Sequence, residues 1–214
     1  MRSFSKTNRN IVSKFISMKI YSETFRKYNL LDHPFYLAWN EGKLSCEQLS
    51  LYAQQYGSFI QLISNGWQAA NEEGIATEEQ EHYILWQKFG KSLNKEKINI
   101  SLPAVADLVN CTKENYKNYA GALGALYAFE AQQPGTATSK LAGLKKHYSQ
   151  WNVDETYFTI HADDVEEPAL LEEKINLLSE KDKLTAADAC ETTCRLLWNA
   201  LTDIYEHAGV PSMN

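Results

Sequence analysis

Apolar positions recur along this chain at three- and four-residue spacings, the period of a helix with one buried face. The clearest case starts at Ser45, which with Gln48 fits a capping box. Leu44, Leu49, Leu51, Tyr52, Tyr56, Phe59, Ile60 and Ile63 then supply an apolar side, predicting a helix to about Asn65 or Glu72. Before it, a short helix is predicted from Ser22 to about Leu31. Asp32-His33-Pro34 breaks it, because the residue before a proline avoids the α region. Pro34 then suits the first turn of a helix over Phe35 to Glu41, closed by Gly42.

Thr77 is read as the cap of the helix EEQEHYILWQKFGKSL, with Tyr83, Leu85, Trp86 and Phe89 on its apolar face. Leu102 to Lys117 reads as less regular. Tyr119 to about Lys140 reads as a long apolar helix whose small residues allow close contact, with Pro134 as a kink. Asp154 is read as capping a helix through HADDVEEPALLEE, with a break at Pro168. Thr185 is read as capping the last helix, to about Ala208. Only Ile98 to Leu102 hints at a strand. The fold class predicted is all-α, and the presence of only 10 Gly and 5 Pro agrees with it.

Composition narrows the function classes. Hydrophobic content is 44% and charged content 22%, ordinary for a globular protein. A net charge of −6 argues against a nucleic-acid surface, which needs clustered Lys and Arg. No run approaches the ~18 apolar residues that span a bilayer, so no membrane partner is expected. Cys190 and Cys194 share a helix face and read as small core side chains. No second Cys/His pair at zinc spacing joins them or Cys46 and Cys111, and a reducing cytoplasm is the expected compartment. The basic opening, residues 1–18, fits a transit peptide. A disordered extension, or a start assigned too far upstream of Met18, is favoured. The rest, 19–214, is read as a single helical-bundle domain.

Three stretches could carry chemistry. A site for a pair of redox ions needs carboxylates and imidazoles facing one another from different helices, with Glu-x-x-His placing both on one face. Glu79 and His82 have that spacing, although Glu72, Glu73 and Glu78 compete as the carboxylate. Glu130 stands inside GALGALYAFEAQQP, where a buried charge is costly without a cation or several donors. His161 follows Tyr157, Phe158 and Ile160 and precedes Asp163, Asp164, Glu166 and Glu167. Imidazole with carboxylate suits iron or manganese better than zinc with thiolates.

These stretches, with HPFYLAWNEGKLSCEQLSLYAQQY and ALYAFEAQQPGTATSKLAGL, resemble the family of the chlamydial protein associating with death domains. That family belongs to the heme-oxygenase-like superfamily, with thiaminase-like and pyrroloquinoline-quinone-synthase-like relatives. The resemblance runs from about residue 20 to 205. It implies a seven-helix bundle holding two iron ions or a manganese–iron pair, with dioxygen as co-substrate, and a homodimer. It also implies an oxidoreductase making 4-aminobenzoate for folate synthesis. The substrate would be a small molecule or the chain's own tyrosine, with a lysine supplying nitrogen. On that resemblance His82, Glu130 and His161 match ligand positions and Glu79, Asp164 and Glu167 complete the set. Tyr36 matches the consumed tyrosine, Lys140 the lysine, and Tyr52 and Tyr56 their neighbours.

The sequence departs from the family in one place. Where the family reads His-x3-Asp-x2-His, this chain reads His161-x2-Asp164-x2-Glu167, a spacing that drifts around a regular helix unless a bulge or kink intervenes. Three alternatives stay open. A thiaminase-like hydrolase would need a nucleophilic Cys in the central helix, where Tyr127-Ala128 stand instead. A cofactorless oxidase for a large anion would need more pocket Arg and His than this chain's five His and few Arg suggest. A metal-free interaction protein on the same fold draws support from the altered spacing after His161.

Overall fold

The structure is a computed structural model that describes residues 21–93 and 102–207. Among these residues there is no strand. A helical segment at residues 21–27 (α1) leads through a single 3-10 turn at Leu30–Asp32 into α2, Pro34–Asn40. Then follow α3 (Cys46–Ile60), α4 (Ile63–Ala69), α5 (Glu73–Ser92) and α6 (Pro103–Asn115). The chain continues with α7 (Tyr119–Glu130), α8 (Gln133–His147), α9 (Thr156–His161), α10 (Glu166–Leu177) and α11 (Glu180–His207). Residues 1–18 and Ile98 to Ser101 lie outside the described residues, while Leu102 precedes α6 rather than ending a strand.

α7 is the centre. It packs against α4, α6, α8, α10 and α11, and almost all of it is buried. Its small residues make this possible. A Cβ on Gly124 would come within 2.0 Å of the Ala186 carbonyl oxygen, so α7 and α11 cross at backbone contact only with glycine there. Asn118 starts α7 by accepting from the Gly121 N–H at 2.7 Å. The capping box at Ser45 and Gln48 is formed at the start of α3.

Several boundaries differ from the sequence reading, for local reasons. The helix after Ser45 stops at Ile60, where the Leu62 N–H bonds back only three residues to Phe59, and the chain turns into α4. Thr77 caps nothing, because α5 begins at Glu73 and the Thr77 hydroxyl donates to the Glu73 carbonyl inside the helix. Thr185 likewise lies within α11, where Ser179 accepts from the Asp182 N–H at the true start. Residues 103–115 form a regular helix, with Val105, Leu108 and Thr112 buried on one side and Pro103 in the first turn. Pro134 does not kink a continuous helix. It opens α8, where its missing N–H costs nothing. Pro168 likewise sits inside the first turn of α10, and the break comes earlier, at residues 162–165.

His33 joins both ends of the chain. Its Nδ1 accepts from the Phe35 N–H at 3.0 Å and caps α2. The tautomer therefore carries its proton on Nε2, which donates to the Thr202 hydroxyl of α11 at 3.0 Å. Burial lowers the His33 pKa to about 4, against a modest opposing bond to the Trp198 backbone. The unfolded chain thus binds a proton between pH 6.5 and 4 that the folded chain refuses. Stability is expected to fall over that window by on the order of 3 kcal/mol. Denaturant titrations across it check this, and His33→Gln should flatten the slope.

Candidate functional site

Apart from His33, the buried carboxylate, amine and imidazole side chains collect on α5, α7, α8, α9 and α10. Of the competing carboxylates on α5, only Glu79 is buried; Glu73 and Glu78 are exposed, and Glu72 pairs with Lys174. Glu79 Oε1 lies 2.6 Å from His82 Nδ1 and 3.8 Å from His161 Nε2. Ligand atoms of these three residues lie within 4.8 Å of one another. His161 Nδ1 donates to the Tyr157 carbonyl at 2.7 Å, so its Nε2 keeps a lone pair facing the cluster.

Glu130 ends α7 and Glu167 opens α10, both buried. The break at residues 162–165 removes the drift a continuous helix would impose, because Glu167 starts a new helix. Burial, then repulsion from Glu167, Glu79 and Asp164, pushes the Glu130 carboxyl well above the usual range. Burial, with Glu79, Asp164 and Glu78, pushes Glu167 up to about 9. The imidazoles outweigh burial at Glu79 and hold its pKa down. His82 goes the other way: burial opposes its charge, but Glu79, Glu78 and Asp164 raise its pKa. Asp164 is half-buried and accepts a 3.3 Å bond from the Glu166 N–H, capping α10 at the rim of this cluster.

Mutually repelling carboxylates with a buried Glu130 Oε1 that no described group satisfies lack positive charge. Oxygen and imidazole nitrogen donors suit borderline and hard divalent cations, so the residues present fit iron or manganese. Of the candidate ligands, Glu79, His82 and His161 bring their ligand atoms together, while Glu130, Asp164 and Glu167 stand near enough to act on the charge of this group or of one another.

A second cluster adjoins the first. Lys140 on α8 is 2% exposed, and burial lowers its pKa to about 7. Its ammonium nitrogen donates to the Tyr52 hydroxyl at 3.1 Å and lies 5.1 Å above the Tyr36 ring and 5.3 Å above Phe158. The Tyr36 and Tyr52 hydroxyls are 3.5 Å apart, and Tyr56 stacks on Tyr52. Burial raises the pKa of all three phenols, so they stay protonated. Aromatic rings bridge the clusters: His161 to Tyr157 at 4.2 Å, Tyr157 to Trp86 at 4.9 Å, Trp86 to Tyr52 at 5.5 Å.

Sequence reasoning gave Tyr157 only a packing role and missed Gln133, whose amide donates to the Tyr157 hydroxyl at 2.9 Å. A signal was present for Tyr157, which precedes His161 by four residues on one helix, but not for Gln133, which the turn at residues 131–132 separates from Glu130. Among the described residues no helix is long and apolar enough to cross a membrane.

No family model matches the sequence. A 4-aminobenzoate synthase of Nitrosomonas europaea is 31% identical over 84% of this chain and 87% of its own length. Proteins of the same name from Chlamydia muridarum and Chlamydia pneumoniae are 28% and 27% identical over 84% and 81% of the chain. Among solved structures, a domain of unknown function with a heme oxygenase-like fold from Shewanella denitrificans superposes with a TM-score of 0.70. It covers 96% of this chain and 94% of its own at 14% identity, and shows that the fold is heme-oxygenase-like.

Proposed function

Since the chain belongs to the 4-aminobenzoate synthase family, we propose that it is a metal-dependent, oxygen-using oxidase that makes 4-aminobenzoate. Glu79, His82, Glu130, His161, Asp164 and Glu167 would hold two iron ions, or manganese with iron. Such ions supply oxidising power drawn from dioxygen.

The chain's own groups do the rest. Tyr36 would give the ring and Lys140 the nitrogen. The observation that carries this reading is Lys140, a lysine buried against two phenol rings with its pKa lowered to about 7. At neutral pH much of it is a free amine with a nucleophilic lone pair. Tyr52 accepts its hydrogen bond and, through the Tyr36 hydroxyl, holds the reacting ring and amine in one orientation. Trp39 fixes the backbone beneath, its indole donating to the Lys140 carbonyl at 3.1 Å. Phe35, Phe158 and Tyr56 shut water out. The raised phenol pKa values keep the proton on Tyr36 until it is oxidised.

The test is reconstitution with iron and manganese without oxygen, then admission of dioxygen. The expected result is 4-aminobenzoate, with peptide mass spectrometry showing Tyr36 and Lys140 altered in proportion to product. Product without change to either side chain would remove Tyr36 and Lys140 from these roles. No product from metal-loaded protein would end the reading.

A further inference from the structure

Three buried polar atoms that find no partner among the described residues belong to neighbouring side chains: the Trp67 indole nitrogen, the Tyr116 hydroxyl and Glu130 Oε1. We infer that Trp67 and Tyr116 are positioning residues for Glu130, donating hydrogen bonds that aim its carboxylate at the ion cluster once an ion is bound. The inference rests on the metal-dependent reading above.

The three come from separate elements. Trp67 lies on α4, Tyr116 follows α6, and Glu130 ends α7. Trp67 approaches Glu130 closely enough to favour its charged form without completing a hydrogen bond. The Tyr116 hydroxyl sits over Gly66, where a Cβ would come within 2.7 Å of the oxygen and 2.5 Å of the ring carbon that bears it. Only a glycine next to Trp67 leaves room for that ring. Besides burial, the charges of Glu130 and Glu79 oppose ionisation of Tyr116, as expected of a hydroxyl beside both carboxylates.

The chemistry of the trio is one-sided. An indole N–H can only donate, a protonated phenol can donate, and a carboxylate accepts. What sets these two donors apart from other unpartnered buried atoms is that both stand against the Glu130 carboxylate. Each buried group without a partner carries an uncompensated desolvation cost, which a bond to the ionised carboxylate would relieve. Groups that orient metal ligands behave this way, since their bonds are completed when the ligand is ionised and turned toward the cation.

The test uses Co(II) as probe, with its visible absorption bands reporting ligand geometry, on wild type, Tyr116→Phe and Trp67→Phe. Tyr116→Phe removes only an unsatisfied hydroxyl and should leave the melting temperature of metal-free protein unchanged or raise it, whereas Trp67→Phe also empties buried ring volume and should lower it. Co(II) affinity should fall about 10- to 100-fold, with shifted bands. Wild-type affinity and wild-type bands in both variants would overturn the inference while leaving the metal-dependent reading intact. So would a drop in the metal-free stability of Tyr116→Phe that accounts for its lost affinity. Failure of the wild-type protein to bind Co(II), iron or manganese would overturn both.

Discussion

Lys140→Met is expected to stop 4-aminobenzoate formation, by at least about 100-fold, while leaving metal content unchanged. Methionine matches the lysine in length but has no amine, and it makes no contact with the carboxylate cluster. The metal-free variant should also be more stable near neutral pH. The folded pKa of Lys140 is about 7 against an ordinary 10.5. Folded protein therefore refuses a proton that unfolded chain holds between those values. The burial cost is fully present below pH 7 and is relieved as pH rises toward 10.5, amounting to on the order of 4–5 kcal/mol. In denaturation curves between pH 6.5 and 9 the wild type should gain stability relative to Lys140→Met, which lacks this titration and keeps only the opposing loss from Glu130 and Glu167. In wild type, product formation should rise as pH passes through about 7 and the amine loses its proton. Lys140→Arg cannot lose its charge, and it should be inactive and destabilised together. Product from Lys140→Met at the wild-type rate would show that the nitrogen comes from elsewhere.

Glu130→Gln is expected to weaken metal binding by at least about 100-fold while making metal-free protein more stable at pH 8. The carboxyl is buried among other carboxylates, and its folded pKa lies well above its usual value. Its contribution is full below the unfolded pKa near 4.5 and is lost as pH rises above that. Gln removes that loss, so the wild type should lose stability between pH 5 and 8 more steeply than the variant. Elemental analysis after reconstitution reads the other half of the prediction. Full occupancy in Glu130→Gln would remove Glu130 from the ligand set. His161→Ala should lose metal as well, but it should also lose stability, because it removes the hydrogen bond to the Tyr157 carbonyl.

Much of this was legible in the sequence where chemistry is local. Glu79 and His82 share a face because their spacing fits a helical turn. Glu130 stood out because a charge in an apolar helix needs a reason. Boundaries were less legible. Thr77 and Thr185 look like caps, but each spends its hydroxyl on the carbonyl four residues back, which a helix interior allows as readily as a start. The spacing after His161 looked defective only on the assumption of one continuous helix, which the break before α10 removes. The choice of Glu79 over Glu72, Glu73 and Glu78 depends on which side of α5 meets α9, a contact no local pattern encodes. Lys140 and Tyr36 came from family resemblance, since residues so far apart along the chain meet only through packing. Trp67 and Tyr116 carried no signal at all, because their role depends on three elements converging.

The two halves of the site sit in different media. His82 keeps about a fifth of its side chain in solvent, at 22%, whereas Tyr36 and Lys140 keep almost none. The His82 edge is therefore the side of the ion cluster that meets solvent. An aromatic acid formed at Lys140 would instead be enclosed by buried side chains among the described residues. The cover nearest the Tyr36 ring is its own helix α2, only seven residues long and packed on α8, and its opening is the expected route of release. Escape of product is then a local unfolding event, and amide hydrogen exchange in α2 should set its pace.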